Sequence, residues 1–309
     1  MQDRRSFLKT LGGLGLAAVA GSIPLRLLGA QAEDLVKLTI LSTNDVHSRI
    51  EPFPANDRRN AGLGGFARRA KVIKEIRAKE DHVLLLDAGD IFQGTPYFNM
   101  FGGELELKLM SEMGYDAATM GNHDFDNGLE GFLKVLPNAD FPFLTANYDF
   151  SDTILAGKTQ EHLILQKGPI KVGLFGIGVE LNALVSPANY GNTVYLDPVE
   201  TANRVAAKLR EQGCDLVICI SHLGYKFDNN KVSDVVVAKN STNIDLIVGG
   251  HTHTFMKSPD VITNKAGKKV LVSQTGWGGI NLGKIDFYFS KKYMQIASIT
   301  YTTKKIRSQ

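Results

Sequence analysis

Val83-Leu84-Leu85-Leu86-Asp87-Ala88-Gly89-Asp90 reads as a strand followed at once by a carboxylate. Four consecutive apolar residues are too few for an ordinary helix and fit a strand covered on both faces, as in a parallel sheet flanked by helices. Gly89 allows a tight turn with close backbone approach, and Asp90 stands just past the strand's carboxyl end. In open α/β sheets that edge is where ligands bind.

The same unit recurs on either side. Residues 38–41 read as a strand running into Thr43-Asn44-Asp45-Val46-His47, and residues 63–79 as a helix with Phe66, Ala70, Ile73 and Ile76 on one face. Residues 104–113 fit a helix, 117–120 a strand leading into Gly121-Asn122-His123-Asp124, and 129–136 a helix ended by Pro137. Strands at 170–177, 216–220 and 244–248, with a helix at 201–212, continue the alternation. The last two strands run into Ser221-His222 and Gly249-Gly250-His251-Thr252-His253. Residues 270–272, 284–290 and 296–303 look like antiparallel strands joined by polar turns. With no Pro-, Gly- or Ser-rich linker and no repeat, one mixed α/β domain over residues 33–309 is expected.

Residues 1–32 are set apart as an export signal. Arg4-Arg5-Ser6-Phe7-Leu8-Lys9 is a twin-arginine signature, followed by a weakly hydrophobic run from Leu11 to Ile23. That run is shorter than the ~20 apolar residues a spanning helix needs. Ala30-Gln31-Ala32 offers a small-x-small cleavage site, and no cysteine follows for lipid attachment. A bacterial periplasmic or secreted protein with no stable membrane anchor is expected. The chain has 309 residues, 43% hydrophobic and 22% charged, with a net charge of +3. This is too little positive charge to argue for nucleic acid or an anionic membrane. Arg58-Arg59 and Arg68-Arg69 fit a solvated loop and helix face. Cys214 and Cys219 would point to opposite faces of a strand, which disfavours a mutual disulfide and favours buried thiols.

Five of the seven histidines fall in the clusters above. Carboxylates, an amide and imidazoles from five loops make a ligand set for two divalent cations. Asp45 and His47, at i and i+2, can grip one ion, and Asp90 can bridge to a second built by Asn122 and His222. His251 and His253, again i and i+2, can serve one ion each. His123 adjoins Asn122 and is better placed to protonate a leaving group, with Asp126 orienting it. Asp124 or Asp126 could instead cap the helix near Leu129. His82 and His162 have no such company. This constellation implies metal-assisted hydrolysis of a phosphate ester, in which two ions lower the pKa of a bridging water for in-line attack. No Gly-x-Ser-x-Gly elbow is present.

Residues 41–47, 85–90 with Gly94-Thr95, 121–126, Ser221-His222 and 249–253 resemble the 5'-nucleotidase branch of the calcineurin-like dinuclear metallophosphoesterases. The resemblance spans about residues 36–290. It implies a four-layer αββα sandwich, two mixed β-sheets flanked by helices, with metals at the strand ends. Carried over by motif, Asp45, His47, Asp90 and His253 would hold one ion. Asp90, Asn122, His222 and His251 would hold the other, and His123 with Asp126 would form the catalytic dyad. Mn, Zn, Fe or Co all suit these donors. Many relatives carry Gln where this chain has His253. Secreted members continue into a C-terminal domain that binds the nucleotide, whereas this sequence stops at Gln309. The resemblance therefore implies hydrolysis of 5'-nucleotides or related phosphoesters. Its alternatives are a catalytic-type subunit needing a separate C-terminal nucleotidase-domain protein, or a sulfur-compound hydrolase of the same fold.

Overall fold

A computed structural model describes residues 21–23, 34–229 and 231–308. The twin-arginine motif, most of the apolar run and the cleavage site lie outside the described residues. Val83–Asp87 is a strand with every residue buried. It sits in a sheet ordered Gly21–Ile23, Ile296–Lys305, Asn281–Ser290, Leu35–Thr43, Val83–Asp87 and Ala117–Ala118. A second sheet runs Asp260–Thr263, Lys269–Gln274, Leu246–Gly249, Leu216–His222, Ile170–Gly178 and His162–Lys167. Both are mixed. Leu35–Thr43, Val83–Asp87 and Ala117–Ala118 are parallel, as are Ile170–Gly178, Leu216–His222, Leu246–Gly249 and Lys269–Gln274.

Side-chain alternation builds the layers. Leu84, Leu86, Leu38 and Ile40 face a core shared with Leu216, Ile218 and Ile220 of the other sheet. Val83, Leu85 and Leu41 point the other way, against the helices Phe66–Arg77 and Glu104–Met113 through Phe66, Ile73, Leu107 and Met110. On the far side Val217 and Cys219 pack under Pro198–Glu211 and Asp234–Asn240 through Val205, Leu209 and Val237. The order is helices, sheet, sheet, helices, as expected. Fully burying such a Leu, Ile or Val contributes roughly 1.5–3 kcal/mol.

Several expectations are corrected. Lys269–Gln274 pairs parallel to Leu246–Gly249, and its antiparallel partner is Asp260–Thr263, a strand the sequence did not reveal. His162–Lys167 was likewise not foreseen, and pairs antiparallel with Ile170–Gly178. Cys214 precedes its strand and packs in the same core as Cys219 rather than on the opposite face; both thiols are free and buried. Arg69 is not on a solvated face. It is fully buried, with its guanidinium 4.0 Å over the Phe66 ring.

Candidate metal centre

The parallel strands of both sheets end on one edge, and the five clusters follow from that edge. Asp45 lies two residues past Leu35–Thr43, Asp90 three past Val83–Asp87, and His222 closes its own strand. Backbone hydrogen bonds zip the first two loops together, Asp45 N to Gly89 O at 2.9 Å and His47 N to Asp90 O at 3.0 Å. The ligands are then turned inward by unusual backbone. Asp45, His47, Asp90, His251 and His253 all have φ between 50° and 72°. This left-handed region costs a non-glycine residue ~1–2 kcal/mol, and such residues cluster at functional sites.

Two ligand groups result. Donor atoms of Asp45, His47, Asp90 and His253 lie within 4.8 Å of one another, as do those of Asp90, His222 and His251. Asp90 belongs to both. His253 Nε2 is 3.3 Å from Asp45 Oδ1 and 3.0 Å from His47 Nε2, and His222 Nε2 is 3.2 Å from Asp90 Oδ2. Asn122 Oδ1 stands 2.8 Å from His251 Nδ1, which brings the amide into the second group. All seven residues expected to hold metal therefore meet in one place.

The donors fit divalent cations. His222 is fully buried with Nδ1 2.6 Å from the Ala88 carbonyl, while Nε2 makes no hydrogen bond of acceptable geometry. An imidazole with Nδ1 donating to backbone and Nε2 orphaned is in the form a metal ligand needs. His47 likewise sets Nδ1 3.3 Å from the Phe92 carbonyl. Burial and then the surrounding charges shape the metal-free electrostatics. Burial pushes the His47 imidazole down and takes His251 to about 4. For His222 burial opposes the charged form, but the facing Asp90 and Asp45 carboxylates win and raise it to about 10. Asp90 moves the opposite way, held well below the usual carboxylate range by His222 and His47 despite its own burial.

His123 stands beside the groups rather than in them. Its Nδ1 is 2.9 Å from Asp126 Oδ2, and its ring lies 5.3 Å from that of His47, edge to face. The Asp126 hydrogen bond raises the imidazole's pKa, with burial opposing and the Asp90 charge adding to it. Asn189 Nδ2 donates to the Asp126 carbonyl at 3.0 Å and steadies that turn. Neither Asp124 nor Asp126 caps the next helix, Gly128–Val135, which begins after Asn127 with no side-chain cap bond. Asp124 instead accepts from the backbone N–H groups of Asp90, Ile91, Phe92 and Gly121. His82 and His162 lie outside both ligand groups.

Other residues support the ligands without having been foreseen. Asn44 Nδ2 donates to Asp45 Oδ2 at 2.5 Å and to the Gly276 carbonyl at 2.6 Å. Gln274 Nε2 donates to the Gly250 carbonyl at 2.5 Å, and its Oε1 accepts from Thr254 N on the far side of His253. Asn44 adjoins a ligand, which is a signal of sorts. Gln274 carries none, since it acts from a strand end more than twenty residues away.

Comparison with known proteins places the chain in a family. The family described as calcineurin-like phosphoesterase matches residues 38–255. A snake venom 5'-nucleotidase of Crotalus adamanteus is 37% identical over 277 residues, covering 83% of this chain and 46% of that protein. A human 5'-nucleotidase is 33% identical over 307 residues, covering 91% of this chain and 52% of its own length. The crystal structure of a 5'-nucleotidase precursor from Thermus thermophilus superposes with a TM-score of 0.79 at 30% identity, over 88% of this chain and 55% of that one. The chain spans about half the length of the curated relatives it matches.

Proposed function

The chain belongs to the calcineurin-like phosphoesterase family, and on that premise we propose that it hydrolyses phosphate monoesters, 5'-nucleotides foremost, with two divalent cations. One observation carries the reading: two ligand groups share Asp90 at the common edge of both sheets. The 5'-nucleotidase names of the similar proteins support the substrate class.

In this reading Asp45, His47, Asp90 and His253 hold one cation, and Asp90, Asn122, His222 and His251 the other. Bound divalent ions supply Lewis acidity, neutralising phosphoryl oxygens and making water a competent nucleophile near neutral pH. The protein does the rest. Left-handed backbone and the Ala88 and Phe92 carbonyls fix the imidazoles before substrate arrives. His123, its Nδ1 tied to Asp126, keeps a proton on the free Nε2 and delivers it to the departing alcohol oxygen. Residue 123 is thus assigned catalysis, and Asp126 orients it.

The test uses the purified chain with added Mn2+, Zn2+, Fe2+ or Co2+ against nitrophenyl phosphate and nucleoside monophosphates. Turnover of the nucleotides is expected, and loss of about 10²–10⁴-fold in His123→Asn with metal content unchanged. No hydrolysis under any metal would overturn the reading of a self-sufficient enzyme. Activity appearing only with a separate nucleotide-binding protein would make the chain a subunit. Turnover of sulfur-linked esters alone would transfer it to that chemistry.

We propose the compartment as well. Residues 1–32 direct twin-arginine export and are removed, leaving a domain over 33–309 in the periplasm. Supporting this are the Arg4-Arg5 signature and the Ala30-Gln31-Ala32 cleavage site. Gly21–Ile23 pairs along Ile296–Lys305, so cleavage after Ala32 would leave Ile296–Lys305 as the sheet edge. Replacing both arginines with lysine should retain the protein in the cytoplasm with its signal uncleaved.

A further inference from the structure

His253 is held differently from the other imidazoles of the centre. His47 and His222 each set Nδ1 on a backbone carbonyl, but Nδ1 of His253 has no protein partner among the described residues. It is also the most exposed of the metal-facing side chains among the pairs with Asp45 and Asp90, at 41% against 9% for His47 and 0% for His222. Its ring lies against Trp277. The two rings are stacked, with centroids 5.7 Å apart and planes within 10°.

Trp277 is itself well anchored. Its indole meets Phe53 edge to face at 5.3 Å, and the Arg49 guanidinium covers the Phe53 ring at 4.3 Å. The glycines on either side tie it to the first ligand loop. Gly276 O accepts from Asn44 Nδ2 at 2.6 Å, and Gly278 N donates to Asp45 O at 2.7 Å. A side chain at 276 would strike the Phe255 ring, so this turn must be glycine on that side. The indole therefore registers the His253 loop against the Asp45 loop, which come from different sheets.

We propose that Trp277 is a positioning residue for the metal ligand His253, its stacked face replacing the backbone hydrogen bond that orients His47 and His222. Coordination draws electron density from an imidazole, and an electron-rich indole face attracts a ring that carries positive charge. Stacking is thus stronger in the metal-loaded protein than in the metal-free one. The interaction favours the ligand geometry where a hydrogen bond is missing.

Because Trp277 is the chain's single tryptophan, tryptophan emission reports on this indole's surroundings, the His253 contact among them. The inference rests on His253 being a ligand, and the experiment separates the two ideas. Co2+ added to the metal-free protein should quench the emission in step with the ion His253 holds, and His253→Ala should abolish that step. Trp277→Leu should weaken this ion about tenfold or more, as loss of a group that orients a ligand does, and leave the other ion's affinity unchanged. Trp277→Phe, which keeps a ring to stack, should recover most of the loss. Two ions bound as tightly in Trp277→Leu as in the parent would overturn the positioning role alone. Emission that stays constant while both ions bind would do the same, independently of any variant's folding. Failure of the parent to bind any ion would overturn this inference and the metal centre together.

Discussion

Asp124 belongs to neither ligand group, yet four backbone N–H groups converge on its two oxygens at 2.8–3.2 Å, three of them from Asp90, Ile91 and Phe92. It fixes the loop that carries the shared carboxylate. An amide in its place offers one acceptor oxygen and turns an NH2 against donors, leaving buried N–H groups unpaired at ~1–3 kcal/mol each. Asp124→Asn should therefore lose about 10–100-fold in metal affinity, the range for groups that hold ligands in place, measured by titration of the metal-free protein. Unchanged affinity would show that the Asp90 loop holds its shape unaided. The contrast between Asp124 and the ligands explains what was legible at this scale. Asp45, His47, Asp90, Asn122, His222, His251 and His253 could be picked out as candidate ligands because few residue types bind metal and their spacing is short, and the structure brings them together. The sequence suggested only a helix cap for Asp124. Three of its four partners lie more than thirty residues back, and no local pattern records a bond of that reach.

At the level of strands and turns, buried parallel strands such as Val83–Asp87 were readable because an uninterrupted apolar run has few other uses. His162–Lys167 and Asp260–Thr263 were not, since edge strands are half-exposed and their sequences mix polar and apolar residues. Lys269–Gln274 was expected in an antiparallel group, but strand direction is set by the neighbour, here Leu246–Gly249, and not by composition. The turns after the strands are more demanding than the strands themselves. A Cβ on Gly121 would collide with Asp90 Oδ1 and fall 2.5 Å from Asp90 N. Only a hydrogen fits between these two loops. Gly121→Ala should thus displace Asp90 and abolish uptake of both ions, while circular dichroism stays that of the parent because no strand or helix is interrupted. Retained metal binding at parental affinity would mean that the loops yield more readily than their packing suggests.

Across the whole molecule the centre is a seam. Asp45, His47, Asp90 and Asn122 follow strands of one sheet, and His222, His251 and His253 follow strands of the other. On the function proposed above, bound ions would cross-link the two layers, and removing them would cost the folded state their binding energy, about 2.7 kcal/mol for an ion present at a hundredfold excess over its Kd. The size of that loss depends on pH through His222. In the metal-free protein its pKa rises from 6.5 to about 10, because Asp90 and Asp45 outweigh burial. A group whose pKa is higher folded than unfolded stabilises the fold fully below the unfolded value and loses that contribution as pH climbs through the folded one. The window runs from about pH 6.5 to 10. Within it the metal-free protein should become steadily less stable, since the positive charge on His222 that offsets the Asp90 and Asp45 carboxylates is being lost. The loaded protein should not follow, because a cation on Nε2 does the proton's work at any pH in the range. Melting curves of chelator-treated and metal-loaded protein should diverge between about pH 7 and pH 10, with the gap widening upward. Parallel curves would mean that His222 does not exchange a proton for a metal, and the second ligand group would have to be redrawn without it.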